Sequence, residues 1–146
     1  MKNIHKIIGI IAFIAVIALG FGGCTITPGY TTDFINKNVN PMDPVFGDIP
    51  LEEQAILVVP AGDFIVREFA GQRVGWGLRI SIFDYVIRVP SGTHTMLVIP
   101  YNSAGDYIGS PTRLTVNFEP DRVYGFVTKQ GFLSQTTTIQ DVTPDK

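Results

Sequence analysis

From Ala55 to Val142 the chain is cut at short intervals by Pro, Gly, Asn or Asp, and the segments between the cuts are built of Val, Ile, Phe, Tyr and Thr. This punctuation constrains the fold more than any other feature. The segments are too short for packed helices and carry the β-branched and aromatic bias of strands. Expected strands cover residues 55–59, 64–69, 80–89 with a break near Asp84, 93–101, 113–119, 122–129 and 135–142. Breakers fall at Pro60-Ala61-Gly62, at Gly71 and Gly75-Trp76-Gly77, at Pro90-Ser91-Gly92, across 102–111, at Glu119-Pro120-Asp121 and at Gly131. No window after residue 24 carries a helical stripe, and residues 51–56 suffice for one turn at most.

Alternation assigns some faces directly. Leu114, Val116 and Phe118 share one side of their segment while Arg113, Thr115, Asn117 and Glu119 share the other, the pattern of a strand with one buried and one wet face. Residues 93–101 differ: Met96 and Val98 point one way, Leu97 and Ile99 the other, so both faces are apolar. One pair faces the core, and the second is covered by the chain's own loops or N-terminal segment, or meets a partner. Taken together, the pattern predicts an all-β fold, a single antiparallel β-sandwich of six to eight strands, immunoglobulin-like or transthyretin-like.

The N-terminus has a different character. Lys2 and Lys6 precede an apolar run from Ile7 to Leu19, and no further charge occurs before Asp33. A basic start, a short apolar run and then small residues are the layout of a secretory signal peptide. The run reaches the roughly 17–25 residues of a membrane span only if the glycines after it are counted, which makes an uncleaved anchor the second reading.

Phe21-Gly22-Gly23-Cys24 resembles the lipobox of bacterial lipoproteins, with Phe21 where that pattern usually has an aliphatic residue. The resemblance implies cleavage before Cys24, a thioether-linked diacylglyceryl group on Cys24 and usually an acylated amino terminus. Cys24 is the only cysteine, and an unpaired exported thiol is otherwise awkward. Two or more acyl chains anchor stably where one does not. The expected organisation is a signal peptide at 1–23, a lipid-anchored flexible tether at 24–51, a β-sandwich at 52–142 and a tail at 143–146. Four prolines, two glycines and three asparagines between Thr25 and Pro50 support the tether, with Phe46 and Ile49 able to dock on the sandwich after it.

Loss of the leader removes Lys2 and Lys6, leaving nine cations against thirteen carboxylates and a formal charge of −4. There is no basic block, which argues against nucleic acid as a partner. With no second cysteine, apolar packing must hold the fold, and the chain is long enough for one core.

A second, looser resemblance lies in VPSGTHTMLV and LTVNFEPDRVYGFV, which look like a recurrent pattern in small exported β-sandwich domains. It implies architecture only: Gly92 in a turn, with His94 and Tyr124 near the ends of paired strands.

Chemistry is sparse. After the leader there is one histidine, His94, and its nearest hydroxyl by sequence is that of Ser91. A His at a strand start is read as a structural hydrogen-bonder. One His with scattered carboxylates does not supply a zinc set, and Asp43, Asp48 and Glu52 are too interrupted for a calcium loop. The stretch GQRVGWG at 71–77 lacks the Gly-Lys-Ser/Thr element of a phosphate loop. No catalytic residue, metal or cofactor is therefore expected.

Candidate partner contacts are Trp76 between its glycines, Leu97 and Ile99 on the second apolar face, and Tyr101 and Tyr107 in or beside the longest loop. For Trp76 two readings stand, a ligand-stacking side chain or a plug over the open end of the sandwich. The expectation is a non-catalytic binding or structural module, held by its Cys24 lipid at the outer membrane or cell surface rather than the cytoplasmic membrane. An envelope protein or cell-wall glycan is its expected partner. The alternatives are a small extracytoplasmic hydrolase using carboxylates assembled by the fold, or an inhibitor or accessory subunit docking through Leu97 and Ile99.

Overall fold

A computed structural model describes residues 24–77, 83–101, 104–130 and 135–145, without the side chains of Cys24 and Ile26. The expected signal peptide at 1–23 and the start of the expected strand at 80–89 lie outside the described residues. The chain divides into two units, residues up to 26 with 128–137, and residues 27–127 with 138–146. In the first, strand β1 (Cys24–Ile26) runs antiparallel to the end of a later strand, pairing Cys24 with Gln130, Thr25 with Lys129 and Ile26 with Thr128. Among the described residues no helix is long and apolar enough to cross a membrane.

The second unit opens with helix α1 (Thr32–Asn38) and the short strand β2 (Val39–Asn40). There follow β3 (Gln54–Val59), β4 (Phe64–Phe69), β5 (Gln72–Trp76), β6 (Tyr85–Pro90), β7 (Gly92–Pro100) and β8 (Thr112–Phe118). The last two strands, β9 (Val123–Gln130) and β10 (Gln135–Asp141), are shared with the first unit. One sheet has the order β1-β9-β3-β6-β2, with β10 also paired to β9, and the other β5-β4-β7-β8. The fold is the all-β sandwich that the punctuation indicated. Lettered A to H from β3 to β10, its sheets read D-A-G-H and C-B-E-F. The immunoglobulin arrangement sets ABED against CFG, which is not the order found here.

Pairing is not antiparallel throughout. β3 runs parallel to β9 and β2 parallel to β6. β3 leads across to β4 in the other sheet, and β9 arrives from β8 in that sheet, so no hairpin obliges the two to oppose each other.

β3 is apolar on both faces, and both are covered. Ala55, Leu57 and Val59 enter the core between the sheets with Val66, Phe69, Met96, Val98, Phe118 and Phe126. Val58, on the opposite face, packs with Val86, Val123 and Ile35 in a second cluster that Ile56 flanks. Ile35 belongs to α1, within the segment expected to be a flexible tether. That segment is instead part of the folded unit. Thr31 caps the helix, its Oγ1 accepting from Phe34 N at 3.2 Å, and Tyr30 stacks on Phe34. The Asp33–Lys37 pair is exposed and contributes at most a few tenths of a kcal/mol. A seven-residue helix is not stable alone, so burial of Ile35 holds it. Farther on, Phe46 sets its ring 5.6 Å from Phe69 and 6.0 Å from Trp76. The prolines stop periodicity without stopping packing.

β5 occupies a stretch that its glycines marked as a breaker. Phe69 pairs with Gln72 across Ala70 and Gly71, whose φ values of 49° and 78° make a two-residue hairpin turn with both central residues left-handed. At the far end of β5, Gly77 has φ 83°, and a Cβ there would stand 2.7 Å from the Phe64 carbonyl oxygen. Those two turns let a glycine-rich segment pair as a strand.

The C-terminal boundary also extends beyond the sheet. Val142 N donates to the Val123 carbonyl at 2.8 Å, and the Thr143 hydroxyl accepts from Val123 N at 2.9 Å. Tyr124, near the start of β9, accepts from Glu119 N at 2.9 Å and so fastens the turn before its own strand.

Truncating Ile35 distinguishes a packed segment from a free one. Ile35→Ala should cost about 2–4 kcal/mol in urea unfolding with little change in m; a loss within error would mean that α1 does not cover β3.

Candidate functional site

The outer face of the β5-β4-β7-β8 sheet carries four of the expected contacts or their neighbours. In register, Leu97 of β7 lies between Glu68 of β4 and Arg113 of β8. These two side chains meet at 3.2 Å, Arg113 Nη2 to Glu68 Oε2, so an ion pair bridges the strands on either side of Leu97. Leu97 is half-buried as a result. Ile99 sits opposite Ile65, which is buried. Beyond them the chain turns back on itself: Tyr101 bridges to Tyr107, and Ile108 N donates to the Pro100 carbonyl. Tyr101 is buried, whereas Tyr107 is half-exposed and accepts a hydrogen bond from Arg67 Nη2 at 3.0 Å. Leu97, Ile99 and Tyr107 are thus brought to one region, with Ile108 exposed beside them.

Trp76 is elsewhere. It is 2% exposed, with its ring 5.1 Å from Phe69, and lies in the core between the sheets. Its Nε1 has no hydrogen-bond partner among the described residues. His94 is tied to the turn before it: Nε2 lies 2.9 Å from the Ser91 carbonyl oxygen, and the ring packs near Phe69 and Phe118. A carbonyl only accepts, so Nε2 carries the proton. The bond runs to the Ser91 backbone rather than to its hydroxyl, which is the geometry of a turn anchor.

Sequence reasoning missed a grouping built from three distant segments. Tyr30, ahead of α1, is within electrostatic reach of the Asp84 carboxylate, and Asp84 accepts from Ala61 N at 2.8 Å. Burial raises the Tyr30 hydroxyl pKa above its usual value; Asp84 raises it further, and Asp63 adds a little. Burial likewise raises Asp63, with the Asp84 charge second. Residues 30, 63 and 84 are too far apart for any spacing rule to join them. Tyr30 also lines an open recess of about 450 Å³ between segments 27–32 and 142–145. Thr27, Thr31, Thr32 and Thr143 are on its wall, with Pro28 and Pro144. Asp141, at the end of β10, is held below the usual carboxylate range: burial opposes this, but bonds from the Thr143 hydroxyl and amide, with Arg122, prevail.

Among the described residues no three His, Cys, Asp or Glu side chains come together as a metal set. Cys24, the expected lipidation site, begins β1 at the end of β9. Comparisons of the chain with protein-family models, with curated proteins and with solved structures find no match.

The acidic grouping sets a pH dependence. A carboxyl whose pKa is raised on folding stabilises the fold below its unfolded pKa, and that contribution is lost as pH rises through the folded value. Asp63→Asn removes the titration and keeps the backbone carbonyl that accepts from Tyr101 N. Thermal melts should show a higher Tm than the parent near neutrality and none of that gain below the carboxylate range; equal gains at both pH values would refute the assignment.

Proposed function

We propose that this chain is a bacterial envelope lipoprotein whose sandwich serves as a non-catalytic binding or structural module. The observation that carries the reading is Phe21-Gly22-Gly23-Cys24 at the end of a charge-free apolar run, with the chain's only cysteine as its last residue. The leader directs export, and Cys24 becomes the acylated first residue.

The single His94 after the leader is engaged in a turn and a packed aromatic neighbourhood, in keeping with a module that binds rather than reacts. An envelope protein or a cell-wall glycan is the partner class that fits an anchored domain of this kind. The half-exposed group of Leu97, Ile99 and Tyr107 with exposed Ile108 is the surface through which it would be met.

Cys24→Ser is the direct test. Cells making it should accumulate unprocessed precursor, and metabolic fatty-acid labelling of the protein should vanish; labelling that persists at the parent level would sink the lipoprotein reading.

A further inference from the structure

A lipid on Cys24 has a structural consequence, because Cys24 does not begin a free spacer. Its backbone is in register with Gln130, the last residue of β9, and Thr25 and Ile26 continue the ladder with Lys129 and Thr128. Opposed residues of an antiparallel pair have Cα atoms about 4.5–5.5 Å apart. Wherever the acyl chains hold Cys24, residues 129 and 130 are held within one strand spacing of it.

The hydrocarbon core is about 30 Å thick within a bilayer of about 40–45 Å, which leaves some 5–8 Å of headgroup zone per leaflet. The attachment point of a diacylglyceryl group lies in that zone, so the paired residues lie in or against it. A free spacer of 25 residues would instead place the next folded element roughly 25–30 Å away on average.

Charge agrees with this placement. From Val123 to Gln140 the sequence has no carboxylate and a single cation, Lys129, although the mature chain has a formal charge of −4. Lys129 is exposed. A segment without carboxylates meets lipid phosphates without repulsion, and one ammonium next to the anchor is attracted to them. Covalent acylation supplies the affinity, so no basic block is required.

Resting on the lipoprotein reading, we propose that the end of β9, with Lys129 and Gln130, is a membrane-apposed surface, held at the phospholipid headgroups by the β1 ladder. Thr25 and Ile26 are the clamp that transmits the anchor's position to β9.

The test uses the full chain, processed and acylated in a bacterial host, then reconstituted into phosphatidylcholine vesicles. Because Cys24 is the only cysteine, acylated parent protein should take up no thiol-reactive probe, and Lys129→Cys should take up one. A polarity-sensitive fluorophore at residue 129 should emit to the blue of its value in detergent-free buffer. It should lose roughly half or more of its intensity when the vesicles carry a headgroup nitroxide, as expected for a probe within the headgroup zone. Gln130→Cys should respond in the same way, which guards against a misfolded Lys129→Cys.

Protein that floats with the vesicles but shows a water-exposed, unquenched probe at both positions overturns the apposed surface and leaves the anchor standing. Parent protein that reacts with the probe at Cys24 and does not float overturns the anchor itself.

Discussion

The two-sided burial of β3 is the constraint on which the rest of this structure depends. Gln54–Val59 is central in its sheet, hydrogen-bonded to β6 on one side and β9 on the other. Ala55, Leu57, Val58 and Val59 are all fully buried. A two-layer sandwich satisfies only one face of such a strand. The second requires a further layer, and the chain supplies it from its own N-terminal segment through Ile35. Leaving Val58 and Val86 to solvent would forgo about 1.5–3 kcal/mol each, which exceeds what the capping bond and exposed ion pair of a seven-residue helix can contribute. The helix exists because the sheet needs covering.

That dependence explains what was legible in the sequence. Strand positions were readable because turn residues and β-branched residues act locally: 64–69 coincides with β4, and 55–59, 93–101, 113–119 and 122–129 fall within a residue of β3, β7, β8 and β9. The two apolar faces at Met96 to Ile99 were also readable, but not the answer to them, an ion pair from flanking strands that lie far apart in sequence. β5 was illegible because its glycines are strand residues or turn residues according to the pairing of Phe69 with Gln72. α1 was illegible for a different reason. Its buried contact is one residue, Ile35, and one residue makes no stripe.

The candidate site divides along the same line. Tyr101 and Trp76 are large aromatic residues in loop-like sequence, and both are buried, since a core of this size gains more from an aromatic ring than a loop loses by ordering it. Tyr107 and Leu97 keep part of their surface because their covers are polar: an Arg67 guanidinium on one, the Glu68–Arg113 pair beside the other. Neighbouring strands screen that patch without sealing it. Such a face can open to a partner at the modest cost of an exposed ion pair, whereas exposing Trp76 would mean dismantling its packing with Phe46 and Phe69.

The chain changes structural task at Thr27. The residues before it pair with the end of β9, while those after it build the cover over β3, so the sequence between the proposed anchor and β3 serves two structural tasks and leaves little to act as a spacer. A tether is defined by the freedom of its backbone, and here that freedom is taken up by a ladder, a helix and a docked Phe46.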